Sequence, residues 1–338
     1  MFHRMHSFFS LYAWNRRWIK LHWAVVCITL ALLASACSST THSVSTTSRV
    51  AEASLHGLLP ENIAKAGLII NGTPETNPPF IYLNKKGQLT GIDYAIEKQL
   101  SKELGVHFIN KDIPSFSGII PAILSGRVDM SLSIIVDAPN RERSVNFVDY
   151  LITGLTFMGK YGNPDHLYEP EDLCGKVVSN TAGATTILPI EYISDKYCKK
   201  AGKPPVITAS YSSPAASLLA LSSGHAVADS HPALAASYIA AHAGGGREYQ
   251  LLFPGKIWDA EYYGIALGKN EVKLAQAVVK ALRLMLSNGT YLKILKQYNA
   301  SDAALTYPQI TINAASRVPL TPTQKRLYGS SSPFISAS

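Results

Sequence analysis

The chain has 338 residues, of which 47% are hydrophobic and 16% are charged, so it is long and apolar enough to form two domains with a core each. Its formal net charge is +8, and four of those charges precede Cys37, which leaves +4 for the rest of the chain. A mildly basic chain with so little clustering of charge is not a nucleic-acid-binding protein.

The first 36 residues have the pattern of a secretory signal peptide. Four basic residues stand before an apolar stretch over residues 23–36, and the first acidic residue is Glu52. The stretch is too short to cross a bilayer comfortably, and it ends in small residues, as signal cleavage sites do. We therefore expect residues 1–36 to be removed and the mature chain to reach the periplasm.

Cys37 directly follows the predicted cleavage site, which resembles the lipidation site of bacterial lipoproteins. A lipid on Cys37 would anchor the protein to a membrane. The residues from 38 to 48 are almost all Ser and Thr, so the segment 37–55 is predicted to be the lipid anchor and a flexible tether. The alternative is an ordinary cleaved signal followed by an incidental cysteine.

Beyond the tether, short apolar strands alternate with amphipathic helices, which predicts an α/β fold. Residues 68–70 form the first strand, and the apolar residues from 92 to 104 mark one face of a helix that Gly105 ends. Residues 119–124 form a second helix, and the apolar strand 128–135 follows it. This order of elements is repeated once more along the chain.

The repeat begins with a strand at residue 175 and continues through a loop over residues 181–186 into a helix near residues 187–197. A loop that opens a helix presents free backbone N–H groups, which suit an anionic carboxylate, and Thr185 adds a hydroxyl there. Apolar residues then lead to Asp229.

The segment 116–150 carries the most specific pattern in the chain. Phe116 stands in a turn before the second helix, Ser133 lies in the apolar strand, and Arg141 follows a turn that contains Pro139. A guanidinium at the end of a buried strand offers a planar fork to a carboxylate. The pattern is typical of a site that holds an amino acid.

Cys174 and Cys198 are the two cysteines that remain in the body when Cys27 is assigned to the signal and Cys37 to the lipid. In an oxidising periplasm we expect these two to form a disulfide; the alternative is two separately buried thiols. The histidines are scattered and show no metal-ligand spacing. We therefore expect neither a metal nor a cofactor.

The segment 116–150 is similar to the polar amino-acid family of periplasmic solute-binding proteins that serve ABC importers, the bacterial extracellular solute-binding proteins of family 3. The similarity continues in Pro78-Pro79-Phe80, in residues 87–93, in residues 263–266 and in residues 288–298. It covers about residues 63–299. The resemblance implies a two-lobed periplasmic-binding-protein fold (type II), with a ligand cleft between lobes joined by two crossing strands near residues 154–160 and 263–267.

The resemblance also implies a set of ligand-binding residues. Arg141 falls on the arginine that grips the ligand α-carboxylate, and Phe116 falls on a ring that sandwiches the ligand. Thr185 would bind the carboxylate and Asp229 the α-ammonium. Ser133 lies where the family places hydroxyl or small residues, and Asn77 stands where it places a second aromatic ring. With Asn77, Ile134 and Val136 at these positions, the sequence does not identify the ligand's side chain.

Three of these residues also have a plainer interpretation. Arg141 could be a solvated surface arginine, and Phe116 could be a core residue. Asp229 follows an apolar segment, where an acidic residue is as often a helix cap as a ligand group.

The predicted organisation has five parts. They are a signal peptide (1–36), an anchor and tether (37–55), a discontinuous first lobe (56–155 and 262–300), a second lobe (156–261) and a loosely ordered tail (301–338). The tail is rich in Ala, Ser, Thr and Pro, a composition that buries too little surface to offset the entropy of ordering.

We predict a monomeric binding protein of the periplasm that is not an enzyme. It would be anchored by its lipid, capture an amino acid or an amino-acid-like solute, and deliver it to the membrane permease of an ABC importer. The alternative is an enzyme on the same fold, similar to the cyclohexadienyl dehydratases, which would need a general acid in the cleft. Glu75 and Asp259 are the candidate acids by position.

Overall fold

The computed structural model describes residues 55–74 and 76–329. The predicted signal peptide (1–36), the lipidation site Cys37, the tether before residue 55, the candidate acid Glu75 and the last nine residues of the tail lie outside the described residues. Within the described part, no helix is long and apolar enough to cross a membrane.

The elements alternate along the chain as an α/β protein requires. The strands are β1 (Leu68–Thr73), β2 (Thr76–Asn77), β3 (Ile81–Leu83), β4 (Leu89–Thr90), β5 (His107–Asp112), β6 (Met130–Val136), β7 (Val145–Lys160), β8 (Val177–Thr181), β9 (Ile207–Tyr211), β10 (Ala228–Pro232), β11 (Tyr249–Leu251) and β12 (Trp258–Gly268). The α-helices are α1 (Glu61–Ala66), α2 (Ile92–Leu104), α3 (Ile119–Leu124), α4 (Pro139–Glu142), α5 (Leu188–Ile193), α6 (Pro214–Ser223), α7 (Ala233–His242), α8 (Val272–Ser287), α9 (Thr290–Gln297) and α10 (Pro322–Tyr328).

Nine strands form one mixed sheet in the order β5-β1-β6-β12-β7-β10-β8-β9, with β11 paired to β7. Strands β5, β1 and β6 are parallel and form the first half of the sheet, and β10, β8 and β9 are parallel and form the second half. The two halves with their helices are the two lobes. Strands β2, β3 and β4 make a separate small sheet.

Strands β7 and β12 join the lobes. β7 has 16 residues, and it pairs with β12 over residues 145–155 and with β10 over residues 155–159. Both strands are antiparallel to their neighbours. The fold is therefore the predicted α/β fold, with two long strands passing between the lobes. The exact lobe boundaries at residues 155/156 and 261/262 stay a prediction.

Helices cover both faces of the first half of the sheet. The apolar faces of α2 and α8 pack together through Ile96, Leu100, Val278 and Leu282, all of which are buried. On the other face, α3 packs onto the sheet through Ile119, Ile120, Ile123, Val128 and Phe147. Burial of each such side chain stabilises the fold by about 1.5–3 kcal/mol, and together they hold the loops at the strand ends in place.

The prediction of a loosely ordered tail is wrong for residues 301–329. Leu305 and Ile310 are buried against the first lobe. Three buried carboxylates of that lobe accept successive backbone N–H groups of the tail, Asp149 from Ala314 at 3.1 Å, Asp137 from Ala315 at 3.0 Å and Glu142 from Ser316 at 3.0 Å. Burial and the neighbouring carboxylates raise the pKa of Asp137 well above its usual range.

The tail then crosses to the second lobe, where it forms α10. Thr321 caps this helix in a capping box with Gln324. Arg326 donates to Glu191 at 2.9 Å and to Asp195 at 2.6 Å, but these exposed ion pairs contribute at most about 1 kcal/mol each. The buried contact of α10 is made by Tyr328, whose hydroxyl donates to Glu261 on β12. The tail thus packs against both lobes and against one of the strands that join them.

Cys174 and Cys198 are joined by a disulfide in the second lobe, with an S–S distance of 2.04 Å. The bond links Cys174, three residues before β8, to the last residue of the π-helical turn Ser194–Cys198. Cys198 is fully buried among Leu173, Val178 and Ile193. The disulfide therefore ties the partly buried Cys174 to the core of the second lobe.

Candidate functional site

Two adjoining cavities lie between the lobes, an inner one of about 30 Å³ and an outer one of about 360 Å³. Asn77, Pro214 and His231 line both of them. The inner cavity is also lined by Phe116, Ile134, Val136, Arg141, Thr181, Ala184, Thr185, Thr186, Pro232 and Tyr263. The outer cavity is otherwise lined mainly by apolar side chains of α6 and α7, with Glu248 and Tyr249 beside them.

Arg141 is a buried residue and not a solvated surface arginine, since only 1% of it is exposed. It lies on α4, directly after β6, and its Nη1 donates to the carbonyl of Val136 at 2.9 Å. Its Nη2 donates across the cleft to the carbonyl of Gly183 at 2.6 Å. Desolvation lowers the pKa of Arg141, but a guanidinium stays protonated in proteins. A permanent positive charge therefore lies on the inner cavity.

Phe116 lies beside this charge, with its ring centroid 5.8 Å from the Arg141 guanidinium carbon. It opens the 3₁₀ turn Phe116–Gly118, and its backbone N–H donates to the carbonyl of Ser212 on the second lobe at 3.2 Å. The ring is thus held at the lobe interface as a wall of the inner cavity, which is where a clamp for a ligand would stand.

Thr185 approaches the inner cavity from the second lobe. It is buried and begins the 3₁₀ turn Thr185–Ile187 that leads into α5. Its hydroxyl hydrogen is already used within the protein, because it donates to Oε2 of Glu261 at 2.6 Å. The structure therefore brings Arg141, Phe116 and Thr185 together, as the resemblance implied, and Asn77 joins them on the wall of both cavities.

Ser133 is not among the residues that line the cavities. Its hydroxyl is buried and bonds with Ser131 at 2.7 Å, and Ser131 donates in turn to the carbonyl of Gly72. The next residue, Ile134, lines the inner cavity with a φ of 51°, a conformation that costs a β-branched residue about 1–3 kcal/mol and is concentrated at functional sites. This edge of the cavity is therefore formed by Ile134 in a strained backbone conformation and not by the hydroxyl of Ser133.

Asp229 is fully buried in the second lobe and does not line either cavity. Its Oδ1 accepts from Ser179 at 2.8 Å and from Ser217, and its Oδ2 lies 2.7 Å from Nδ1 of His231. Of the residues of β10, His231 is the one that lines both cavities. Asp229 lies on β10, but the residue that lines the cleft is His231, two residues further along this strand.

Tyr263 and Glu261 were missed by sequence reasoning. Both are buried on β12, and Tyr263 lines the inner cavity with a hydroxyl for which the described residues offer no hydrogen-bond partner. Glu261 accepts from Thr185 and from Tyr328, and burial raises its pKa to about 7. The available signal was two acidic residues and two tyrosines inside an otherwise apolar strand, where polar side chains require partners.

Asp259, one of the two acids considered for a dehydratase, lies away from both cavities. Its Oδ1 accepts from the hydroxyl of Thr321 at 3.2 Å, and it lines a separate groove between the second lobe and α10. Of the described residues that line the inner cavity, none is an Asp or a Glu. Nor do the described residues contain a group of three or more His, Cys, Asp or Glu arranged to hold a metal ion.

The model of the bacterial extracellular solute-binding proteins, family 3, matches residues 69–301 of this chain. The L-arginine-binding protein of Pseudomonas aeruginosa is 30% identical over 243 residues, covering 68% of this chain and 87% of its own. The histidine-binding periplasmic protein of Escherichia coli K12 is 26% identical over 231 residues, covering 67% of this chain and 85% of its own.

A similar solved structure is that of an ancestral amino acid-binding protein described as a precursor of cyclohexadienyl dehydratase. It superposes with a TM-score of 0.60 at 28% identity and covers 70% of this chain and 97% of its own. The family match ends at residue 301, so the rest of the tail lies outside it.

Proposed function

Because the chain belongs to the bacterial extracellular solute-binding proteins of family 3, we propose that it binds an amino acid between its lobes and delivers it to the permease of an ABC importer. The observation that carries this proposal is the buried, permanently charged Arg141 on the wall of a cavity between two lobes. A buried charge is costly unless it is paired, and a ligand carboxylate would pair it.

The head group of the ligand would lie in the inner cavity. Arg141 and the hydroxyl of Tyr263 would donate to the carboxylate of the ligand. The ring of Phe116 would pack against the Cα of the ligand. His231 is the acceptor for its ammonium, because an imidazole whose Nδ1–H donates to Asp229 keeps a lone pair on Nε2. Asp229 would then act through His231 and hold its ring in place.

Ligand entry would require the lobes to move apart. An inner cavity of about 30 Å³ has the volume of a single water molecule, and Arg141 bridges the lobes through the carbonyl of Gly183. Opening at β7 and β12 would free Arg141 for the carboxylate, and closure would bring contacts from both lobes onto one ligand.

The ligand side chain would extend into the outer cavity. Leu218 and Ile239 offer an apolar wall to an aliphatic stem, and Glu248 offers a carboxylate at its edge. Together with the arginine- and histidine-binding relatives, these residues favour an amino acid with a cationic side chain. Norleucine, which has a comparable stem without the charge, is the matched control for lysine.

A thermal-shift panel of arginine, lysine, histidine, glutamine and norleucine on the mature protein tests the proposal. A ligand at 100 times its dissociation constant adds about 2.7 kcal/mol to the free energy of unfolding, so a cationic amino acid should raise the melting temperature and norleucine should not. A panel in which no amino acid shifts the melting temperature would refute amino-acid binding.

A dehydratase is the second candidate function, and Glu261 is the observation that favours it. A carboxyl group with a pKa near 7 is suited to general acid catalysis, and one similar structure is described as a precursor of such an enzyme. Against it, Glu261 reaches the inner cavity only through the hydroxyl of Thr185. Incubation with a cyclohexadienyl amino-acid precursor, followed by absorbance of the aromatic product, should show no turnover above the Glu261→Gln variant.

We also propose that the protein is a periplasmic monomer held at a membrane by a lipid on Cys37. The support is the sequence pattern of residues 1–37 and the periplasmic location of a relative. Acyl chains contribute about 0.8 kcal/mol per buried CH₂, so the wild-type protein should sediment with membranes. The Cys37→Ser variant should be uncleaved or released in soluble form; wild-type protein found wholly in the soluble fraction would contradict the anchor.

A further inference from the structure

A chain of hydrogen bonds connects the tail to the ligand cavity. The hydroxyl of Tyr328 donates to Glu261, and the hydroxyl of Thr185 donates to the other oxygen of the same carboxylate at 2.6 Å. All three residues are buried. Glu261 lines a separate space of about 240 Å³ on the tail side of β12, whereas Thr185 lines the inner cavity.

The direction of these hydrogen bonds decides what Thr185 can offer to a ligand. A hydroxyl has one hydrogen and two lone pairs. While Glu261 is ionised it can only accept, so the hydrogen of Thr185 is used and only lone pairs face the cavity. If Glu261 is protonated, it can donate to Thr185, and the hydroxyl hydrogen of Thr185 becomes available to a ligand carboxylate.

We propose that Glu261 is a positioning residue for the ligand carboxylate, that amino-acid binding is coupled to the uptake of one proton by Glu261, and that Tyr328 acts through Glu261 by setting the pH range of this uptake. This inference rests on the proposed function. Tyr328 belongs to the part of the tail beyond residue 301, where the family match ends, so the coupling is a property that the family match does not supply.

A bound ligand would change the charges around Glu261 in the direction that the coupling requires. Burial raises the pKa of Glu261, and the positive charge of Arg141 partly opposes this by lowering it. A ligand carboxylate paired with Arg141 would offset that positive charge and add a negative one nearby, so the pKa of Glu261 would rise further on binding. Protonation and ligand binding therefore favour each other, as linkage requires.

Several other ionisable groups face Glu261 or the ligand. They are Arg141 on α4, Asp259 and Tyr263 on β12, Tyr328 on α10, Asp137 after β6 and His231 on β10. Burial raises the pKa of Tyr263 and of Tyr328 well above their usual range, so both stay protonated. His231 and Asp259 are unchanged in a Glu261→Gln variant, so the difference from wild type reports on Glu261.

Isothermal titration calorimetry of the best amino acid from the panel tests the coupling, in buffers of different ionisation enthalpy between pH 6 and 8.5. The wild type should take up a fraction of a proton that rises with pH toward one, and its affinity should fall up to tenfold per pH unit above the pKa of Glu261. Glu261→Gln should lose this uptake, and its affinity should fall less steeply with pH than that of wild type. Glu61→Gln, at an exposed position, should behave as wild type.

Tyr328→Phe separates positioning from a merely structural role. The hydrogen bond from Tyr328 lowers the pKa of Glu261, so its loss should raise that pKa and move the pH profile upward. The variant should therefore bind several-fold tighter than wild type at pH 8 and equally at pH 6, whereas a structural defect would weaken binding at both. Tyr307→Phe, at an exposed tyrosine of the same tail, is the matched control.

The outcomes distinguish the two proposals. Ligand binding with an equal proton uptake in wild type and Glu261→Gln would overturn the coupling and leave amino-acid binding in place. An unchanged pH profile in Tyr328→Phe would overturn the role of the tail. If the wild type binds no amino acid at any pH, the proposed function is refuted, and the coupling with it.

Discussion

Arg141→Met removes most of the ligand affinity while the protein remains folded. The guanidinium is buried and hydrogen-bonded on both sides of the cleft, so a ligand carboxylate would meet it in a largely desolvated site. Loss of one partner of such a pair costs about 2–5 kcal/mol, which is roughly a 30- to 5,000-fold increase in dissociation constant. Calorimetry on the purified variant measures this loss directly.

Arg127→Met is the matched control, because Arg127 is an exposed arginine of the same lobe. Its dissociation constant should equal that of wild type. Thermal unfolding of both variants checks that they are folded. If Arg141→Met bound the ligand as tightly as wild type, the carboxylate would lie elsewhere and the inner cavity would not be the site of the head group.

Removal of the disulfide lowers the stability of the protein by about 3 kcal/mol and leaves ligand affinity almost unchanged. The bond closes a loop with a sequence separation of 24, for which the chain-entropy model gives a value of that order. The double variant Cys174→Ser/Cys198→Ser should therefore melt about 6–12 °C below wild type. Neither cysteine lines the ligand cavities, so the folded fraction should bind normally.

A reducing agent provides the control for this experiment. It should lower the melting temperature of wild type and leave that of the double serine variant unchanged. Two free thiols in denatured, unreduced protein that begins after Cys37 would show that the bond is not formed. Equal melting temperatures of wild type with and without the reducing agent would show that it does not stabilise the fold.

Local sequence patterns predicted the elements that frame the cleft. The apolar residues of α2 lie on one face, and Gly105 ends the helix in the left-handed conformation, as predicted. Helix α3 ends at Leu124, and Gly126 follows it with a φ of 67°. These signals are local, because helix periodicity and the steric freedom of glycine are read within a few residues.

The sequence predicted that three residues would lie together at the cleft, whereas their roles in ligand binding stay a prediction. Arg141, Phe116 and Thr185 meet at the inner cavity because each stands at the end of a strand or the start of a helix, where the fold brings loops together. Asp229 was placed at the cleft, but it lies inside β10, and His231, two residues further along the same strand, is the one that lines the cavities. Residues two apart on a strand point to the same face of the sheet, so the local pattern does not distinguish them, and the serines that bind Asp229 come from the distant elements β8 and α6.

The tail was not predictable because its partners are distant in sequence. Residues 314–316 look like solvated linker, yet their backbone N–H groups bind carboxylates more than 160 residues earlier in the chain. Glu261 was overlooked for the same reason. Its role depends on Thr185, which is 76 residues away, and on Tyr328, which is 67 residues away.

The central claim is that Arg141 holds the α-carboxylate of an amino acid between the lobes. Calorimetric titration of wild type and Arg141→Met with the preferred amino acid and with its α-carboxamide tests it most directly, because the amide removes only the negative charge. Wild type should bind the acid with one site per chain and the amide at least 30-fold more weakly, a difference of about 2 kcal/mol, and Arg141→Met should no longer distinguish the two. Equal affinities of wild type for the acid and the amide would contradict the account.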